Sequence, residues 1–99
     1  MSGTRLSTAH LDVRRKQILF RAWHRGTKEM DLVMGGFADE ELPTLSEAEL
    51  DQFEALIPLA DRDLFAWISG AVVPPEYDTE LFRRMKDFHH RPAAKRHNF

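Results

Sequence analysis

Residues 23–31 read Trp23-His24-Arg25-Gly26-Thr27-Lys28-Glu29-Met30-Asp31, and this stretch decides the fold of the 99-residue chain. It places a glycine between two runs of apolar residues that recur at the spacing of an amphipathic helix. The run before the glycine comprises Leu11, Ile18, Leu19, Ala22 and Trp23, and the run after it comprises Met30, Val33, Met34 and Phe37. The pattern predicts two helices joined by a tight corner at Gly26.

The residues at this corner have the chemistry that a helix-to-helix connection needs. Gly26 can adopt the left-handed backbone conformation that ends a helix, and Thr27 is a good N-cap for the next helix. Glu29 suits the electropositive first turn of that helix, as does Asp31. Arg25 and Glu29 flank the corner, where a partner protein could reach both side chains. The alternative interpretation is that Gly26 is only a cap and that the two charged residues form a local ion pair.

Helical spacing predicts five helices and no strand in this chain. The first two helices span residues 12–25 and 28–41. Gly35 and Gly36 fall inside the second helix, where each glycine costs about 1 kcal/mol relative to alanine, so the pair indicates a bend or a close packing contact. Asp78 begins the last helix after an extended Pro-rich turn. The apolar stripe of that helix comprises Leu81, Phe82, Met85 and Phe88.

The third and fourth helices are predicted from their capping residues. Ser46 and Glu49 form the capping-box pattern at the start of the third helix, which carries apolar residues at helical spacing to about residue 60. Asp61 is expected to cap a short fourth helix over residues 62–69, and Gly70 is expected to end it. Both predictions place polar side chains at helix ends, where they satisfy backbone groups that lack partners inside the helix.

Helices that each carry one apolar face bury those faces by packing against one another. We therefore predict an all-α protein, a compact five-helix antiparallel bundle with one domain over residues 11–90. Residues 1–10 are expected to form a flexible N-terminus, and residues 91–99 a flexible basic tail. Aromatic residues on the helical stripes are expected in the core. Trp67 lies off its stripe and either wraps the fourth helix or leaves an apolar spot for a partner.

The net charge of −2 conceals a segregation of charge along the chain. Residues 1–28 contain seven basic residues and one acidic residue, whereas residues 29–61 contain ten acidic residues and no basic one. Residues 62–99 contain seven basic and five acidic residues. This split predicts contact between the basic first helix and an acidic neighbour, within the fold or across an interface. It argues against binding to nucleic acid, because the acidic middle segment would repel phosphate.

The composition also excludes several kinds of catalytic site. The absence of cysteine rules out disulfide bonds and thiol catalysis. No apolar run is long enough to span a bilayer, and residues 1–10 lack the hydrophobic stretch of a secretory signal, so we expect a soluble intracellular protein without membrane insertion. There is no glycine-rich phosphate loop, and the five histidines are too scattered to share a metal ion. The carboxylates of residues 39–54 are expected to be exposed and therefore poor acid catalysts, so we predict no enzyme.

The corner carries an Arg-Gly-x-x-Glu motif, formed by Arg25, Gly26 and Glu29, with Asp31 two positions further on. This motif resembles the signature of the succinate dehydrogenase flavinylation factors, which are small FAD assembly factors. The family also tends to have a phenylalanine shortly after the motif, a Leu-Ser helix start and an Asp-Leu-Phe-x-Trp segment. The corresponding residues here are Phe37, Leu45, Ser46, Asp63, Leu64, Phe65 and Trp67.

The resemblance covers about residues 13–88, with similar spacing throughout. Two positions of the motif depart from the family pattern, since many relatives have arginine in place of His24 and methionine in place of Thr27. The resemblance implies that the corner binds a partner protein, with Arg25 and Glu29 in contact with it and Gly26 allowing close approach. The implied partner-binding residues are His24, Arg25, Gly26, Thr27, Glu29 and Asp31.

The partner implied by the resemblance is the immature flavoprotein subunit of succinate dehydrogenase, or of fumarate reductase. The chain would favour covalent attachment of FAD to that client, and it would itself bind no cofactor stably, because the FAD belongs to the client. We expect the free protein to be a monomer. We expect it in the cytoplasm of a bacterium, or alternatively in the mitochondrial matrix.

Two other functions are compatible with the residues alone. A helical interaction or regulatory module could bind a different protein through the acidic segment 39–54, and reversing the charges of Glu47, Glu49 and Asp51 would abolish that function. A flavin-binding carrier would bind FAD saturably as an isolated chain. We rank the carrier third, because the sequence contains no nucleotide-phosphate site.

Overall fold

Five α-helices follow one another in the computed structural model, which describes residues 11–91. They are α1 (Val13–Trp23), α2 (Lys28–Glu41), α3 (Glu47–Leu56), α4 (Asp61–Ile68) and α5 (Glu80–His90). Short 3₁₀ turns, Leu42–Thr44 and Pro75–Tyr77, precede α3 and α5. The described residues contain no strand, so the predicted all-α class is confirmed. The flexible segments predicted for residues 1–10 and 91–99 lie outside the described residues, except for Arg91, which binds Glu40.

The helices pack around one apolar core. α1 packs on α2, and α5 contacts α2, α3 and α4. Every helix buries apolar residues on the face that meets its neighbours, because only packing removes that face from water. The largest fully buried side chains are Phe37, Phe53, Phe82, Phe88, Ile18, Met30, Met34, Leu42, Leu50, Leu64, Ile68 and Leu81. Between residues 11 and 91, no helix is long and apolar enough to cross a membrane.

Side-chain caps start four of the five helices, and two of the four, Thr27 and Ser46, were predicted from the sequence. Asp12, Thr27 and Thr79 each accept a hydrogen bond from a backbone N–H of the following first turn. Ser46 and Glu49 form the predicted capping box: the Glu49 N–H donates to the Ser46 hydroxyl at 3.2 Å, and the Ser46 N–H donates to the Glu49 carboxylate at 2.8 Å. These bonds join residues three positions apart, which is why the local sequence indicates them.

The structure corrects four predicted helix ends. α1 ends at Trp23, two residues before the prediction, and α3 ends at Leu56 instead of near residue 60. α5 begins at Glu80, after the N-cap Thr79, and not at Asp78. The prediction that Asp61 caps α4 was wrong, because Ala60 occupies the N-cap position without a side-chain bond and Asp61 is the first helical residue.

Gly35, the first of the paired glycines of α2, makes a close packing contact. α2 continues as a helix through both glycines, and Gly35 lies against the indole ring of Trp23 on α1. A β-carbon at Gly35 would lie 2.3 Å from Trp23 Cδ2, far inside van der Waals contact. The absence of a side chain at residue 35 therefore allows α1 and α2 to approach each other.

Trp67 wraps against the end of the bundle and is half-buried. Its ring stacks on Tyr77 with ring centroids 5.6 Å apart, and it meets Phe82 edge-on at 6.4 Å. Of the two interpretations of Trp67, the structure therefore supports the one in which it packs against its own chain. Phe65 is also half-buried and packs against the core.

The predicted contact between the basic first helix and an acidic neighbour forms within the fold. Arg14 of α1 binds three carboxylates of α3, at 2.8 Å from Glu47, 2.6 Å from Asp51 and 2.7 Å from Glu54. The Arg14 guanidinium lowers the pKa of the Glu54 carboxyl, because it donates hydrogen bonds to the charged form. Ion pairs between the basic first segment and the acidic middle segment of the sequence thus join α1 to α3.

This Arg14 cluster makes stability depend on pH in the acidic range. A carboxyl whose pKa is lowered on folding contributes stability above its unfolded value, here near 4.5, and this contribution is lost as pH falls through the folded-state pKa. We expect the melting-temperature difference between wild type and Arg14→Gln to be largest near neutral pH and to shrink below about pH 4. Thermal melts followed by circular dichroism measure this difference. A difference of the same size at about pH 3 would show that Arg14 acts through packing of its aliphatic stem.

Candidate partner-binding site

The corner between α1 and α2 consists of residues 24–27, and Gly26 gives it its shape. Gly26 has φ +113°, a backbone conformation that residues with a side chain rarely adopt. A β-carbon at this position would meet no atom within 4 Å. Glycine is therefore required here by the backbone conformation and not by crowding inside the protein. The space beside Gly26 is open to solvent or to a partner.

Asp31 fixes the backbone of the corner from within the chain. Its Oδ1 accepts a hydrogen bond of 2.6 Å from the backbone N–H of Arg25. This bond spans the turn and ties the residue before Gly26 to the first turn of α2. Asp31 is half-buried, and its carboxylate binds the backbone of the corner.

The Arg25 side chain points into the protein and clamps the corner to the loop between α3 and α4. Its guanidinium binds Asp61 Oδ1 through Nε at 2.8 Å and Nη2 at 2.7 Å. The same guanidinium donates to the carbonyl oxygens of Ile57 and Leu59, the latter at 2.5 Å. Only 7% of the Arg25 side chain is exposed. We call this set of contacts the Arg25 clamp.

The clamp differs from both sequence-based interpretations of Arg25. One interpretation left the guanidinium free for a partner, and the other paired it locally with Glu29. Instead it pairs with Asp61, which lies 36 positions along the chain. The partner-binding role implied for the corner stays a prediction, but the direct contact of the Arg25 side chain with a partner would require this clamp to open.

Asp61 is the site residue that sequence reasoning missed. Its Oδ2 accepts a hydrogen bond of 3.3 Å from the Thr27 hydroxyl, while its Oδ1 binds Arg25. Thr27 also accepts the Met30 N–H as the N-cap of α2. One carboxylate therefore holds the residues on both sides of Gly26. The only sign of Asp61 in the sequence was its position at the start of a predicted helix, and that position suggested an N-cap.

The remaining corner residues lie at the surface. Glu29 is exposed and forms no ion pair with any residue between 11 and 91. His24 is exposed, and its Nδ1 donates to the carbonyl oxygen of Phe20 at 2.6 Å. The structure thus separates the six predicted residues into two groups. His24, Gly26, Thr27 and Glu29 are exposed, whereas Arg25 and Asp31 are bonded to the chain beneath them.

An open cleft of about 350 Å³ lies beside the corner. Its lining is Arg21, His24, Arg25, Ile57, Leu59, Ala60 and Asp61. The lining contains no nucleophile activated by a base, and the part of the chain from 11 to 91 has no group of three or more potential metal ligands. The chemistry of this region is that of recognition by shape, hydrogen bonds and charge.

The acidic segment 39–54 is less free than its sequence suggested. The prediction that its carboxylates are all exposed was wrong for Asp39, which is 6% exposed and lies 3.4 Å from the Trp23 Nε1 donor. It was also wrong for four half-buried residues, which are Glu40, Glu41, Glu49 and Glu54. Glu40 binds Arg91, and both Glu41 and Glu49 bind Arg84. The other carboxylates of the segment, Glu47, Asp51 and Glu54, bind Arg14. Three arginines bind carboxylates of this segment, so its negative charge is reduced but not cancelled, and the Glu47 and Asp51 side chains stay largely exposed.

Comparison with protein families identifies a match over most of the chain. The family model described as "Flavinator of succinate dehydrogenase" matches residues 16–89. The matched region contains the whole corner, the Arg25 clamp with Asp61, and helices α2 to α4.

Curated proteins with similar sequences carry related names. The chain is 35% identical over 85 residues to "FAD assembly factor SdhE" of Acetobacter pasteurianus, covering 85% of this chain and 78% of that protein. It is 36% identical over 77 residues to "Succinate dehydrogenase assembly factor 2, mitochondrial" of Dictyostelium discoideum, covering 77% and 53%. The protein of that name in Danio rerio is 35% identical over 81 residues, covering 79% and 51%. The chain thus spans about half the length of these mitochondrial relatives. No solved structure matches it.

Proposed function

Because this chain belongs to the family of flavinators of succinate dehydrogenase, we propose that it is an assembly factor for covalent flavinylation. It binds the immature flavoprotein subunit of succinate dehydrogenase and promotes the attachment of FAD to that subunit. The flavoprotein subunit of fumarate reductase is a second client of the same kind. The family match and the names of the relatives from Acetobacter and Dictyostelium support this proposal.

One observation carries the choice of the corner as the working surface. Glu29 is an exposed carboxylate without an ion pair in the described residues, and it lies beside a glycine whose surface is open. The Arg25 clamp ties this corner to the rest of the fold, so binding of a partner does not have to order the corner backbone. We propose that Glu29, His24, Thr27 and the backbone of Gly26 contact the client. Arg25 and Asp31 are then positioning residues.

The covalent chemistry belongs to the flavin and to the client. The FAD supplies its own electrophilic ring system, and the client supplies the residue that bonds to it. This chain contributes binding and orientation, and it acts as no enzyme and holds no FAD of its own. It works as a monomer in the bacterial cytoplasm or, alternatively, in the mitochondrial matrix, and relatives of both kinds support the two compartments.

Covalent flavin incorporation into the client tests this function. Purified flavoprotein subunit and FAD are incubated with and without the chain, and the covalent product is read as in-gel flavin fluorescence. We expect wild type to raise incorporation and Glu29→Ala to reduce that gain by about tenfold or more, since an interface carboxylate at a hot spot contributes this much. We expect Gly26→Arg to reduce it as well, because the arginine occupies the open surface and strains a positive-φ position.

Glu80→Ala is the matched control for Glu29→Ala. Glu80 is also an exposed acidic residue in the first turn of a helix, so its loss removes the same favourable interaction with the helix dipole. We expect this control to retain wild-type incorporation. If wild type gave no gain with either client, the proposed function would be wrong. Saturable FAD binding by the isolated chain would instead identify a carrier.

A further inference from the structure

A stacked aromatic pair is exposed where α1 meets the corner. Phe20 is 62% exposed, although it is a large apolar side chain. Its ring stacks on His24 with ring centroids 3.9 Å apart and an interplanar angle of 22°. The bond from His24 Nδ1 to the Phe20 carbonyl oxygen holds the imidazole in that position. The pair therefore presents a flat apolar surface whose side chains are already ordered.

The pair shares the outward side of α1 with Val13, and the exposed Gln17 lies between them. Successive helix residues are rotated by about 100°, so Val13, Phe20 and His24 fall within about 40° of one another. Val13 is 69% exposed. The opposite face of α1 is the one that packs into the core, through Ile18, Leu19, Ala22 and Trp23. We call Val13, Phe20 and His24 the aromatic face.

Unpaired positive charge borders the aromatic face. Lys16 and Arg21 flank it on its two sides, and neither forms an ion pair within residues 11–91. The other two arginines of α1 are neutralised inside the fold, since Arg14 binds the carboxylates of α3 and Arg15 binds Asp12. α1 contains no acidic residue. The positive charge without an ion pair near Phe20 is therefore that of Lys16 and Arg21, and the carboxylates of the Arg14 cluster on α3 lie on the Arg21 side of the face.

We propose that the aromatic face docks on an acidic surface of the flavoprotein client that carries an apolar or aromatic side chain at its centre. This inference rests on the proposed function and extends its interface from the corner along α1. His24 belongs to both surfaces, so one partner can contact Glu29 and Phe20 together. The apolar pair provides contact area, and Lys16 and Arg21 provide complementary charge at the rim.

A second copy of this chain matches the face less well than an acidic client. A two-fold dimer would bring the Lys16 and Arg21 rims of both copies together, and the nearby carboxylates of α3 already bind Arg14. Aromatic residues are enriched at interface centres, where they are often hot spots, which suits Phe20 as the anchor of the contact.

Binding of variants to the flavin-free flavoprotein subunit tests the inference by isothermal titration calorimetry. We expect Phe20→Glu to raise the dissociation constant by about tenfold or more, because it places a carboxylate opposite an acidic surface. We expect the double variant Lys16→Glu/Arg21→Glu to weaken it similarly and to flatten its dependence on salt. All three positions are exposed, so each variant should keep the circular dichroism spectrum of the folded protein. A lower melting temperature is expected only for the double variant, because Arg21 is the basic residue in the last turn of α1 and lies near Glu54.

Val72→Glu is the matched control, because Val72 is an apolar residue that is 91% exposed outside α1. The dissociation constant of this variant for the client should lie within about twofold of the wild-type value. If wild type and Phe20→Glu bound the client equally well, the aromatic face would not be an interface, although the proposed function would stand. If wild type did not bind the client at all, both would fail. A wild-type dimer in analytical ultracentrifugation that Phe20→Glu dissociates would assign the face to a second copy and overturn the inference.

Discussion

Replacing Arg25 with alanine is expected to lower the free energy of unfolding by about 2–4 kcal/mol, because it breaks a buried ion pair by removing one partner. The Arg25 side chain is 7% exposed and the Asp61 side chain is 21% exposed, so the carboxylate left behind is only partly hydrated. The carbonyl oxygens of Ile57 and Leu59 also lose their donor. Urea denaturation followed by circular dichroism measures the change.

Arg62→Ala is the control for this prediction, since Arg62 is the neighbour of Asp61 and its side chain is exposed. We expect it to change stability by less than about 0.5 kcal/mol. Arg25→Lys should lie between alanine and wild type, because a lysine keeps the charge but lacks the planar fork that reaches Asp61 and both carbonyls. A cost below about 0.5 kcal/mol for Arg25→Ala would contradict the clamp.

Gly35→Ala is expected to destabilise the protein by about 2–3 kcal/mol, although alanine is the better helix former. The added β-carbon would lie 2.3–2.7 Å from three atoms of the Trp23 ring, so α1 and α2 would have to separate. Trp23 is 5% exposed and is packed in the core, which leaves its ring little room to move. Urea denaturation of the variant measures the loss.

A double-mutant cycle with Trp23→Leu separates this collision from other effects of the alanine. If the Trp23 ring causes the loss, then Gly35→Ala should cost at least about 1 kcal/mol less in the Trp23→Leu background than in wild type. Equal costs in the two backgrounds would show that the ring is not responsible. Gly35→Ala with wild-type stability would contradict the packing described for α1 and α2.

Local sequence was sufficient for the helices whose ends depend on neighbouring residues. The predicted bounds of α2, residues 28–41, are those observed, because Thr27 caps the helix through a residue three positions away. The capping box of Ser46 and Glu49 is local in the same way. α4 was predicted less well, because the carboxylate of Asp61 is used elsewhere in the fold. A capping preference is weak enough for one buried ion pair to override it.

The corner was predictable in position but not in the direction of its side chains. Gly26, its positive φ and the helices on both sides follow from the spacing and types of the residues around it. Spacing cannot tell which charged residues of such a corner face solvent. The exposed Glu29 and the buried Arg25 both looked accessible in the sequence, and only the position of the α3–α4 loop distinguishes them.

The sequence by itself determined the all-α class, the order of the helices and the place of the Arg-Gly-x-x-Glu corner, because these depend on interactions between residues a few positions apart. The tertiary structure alone decided that Arg25 binds Asp61, that Gly35 receives the Trp23 ring and that Phe20 stays exposed. The first two contacts join residues far apart along the chain, and the exposure of Phe20 depends on which face of α1 the other helices cover. Packing of all five helices sets these distances, and no local pattern encodes them.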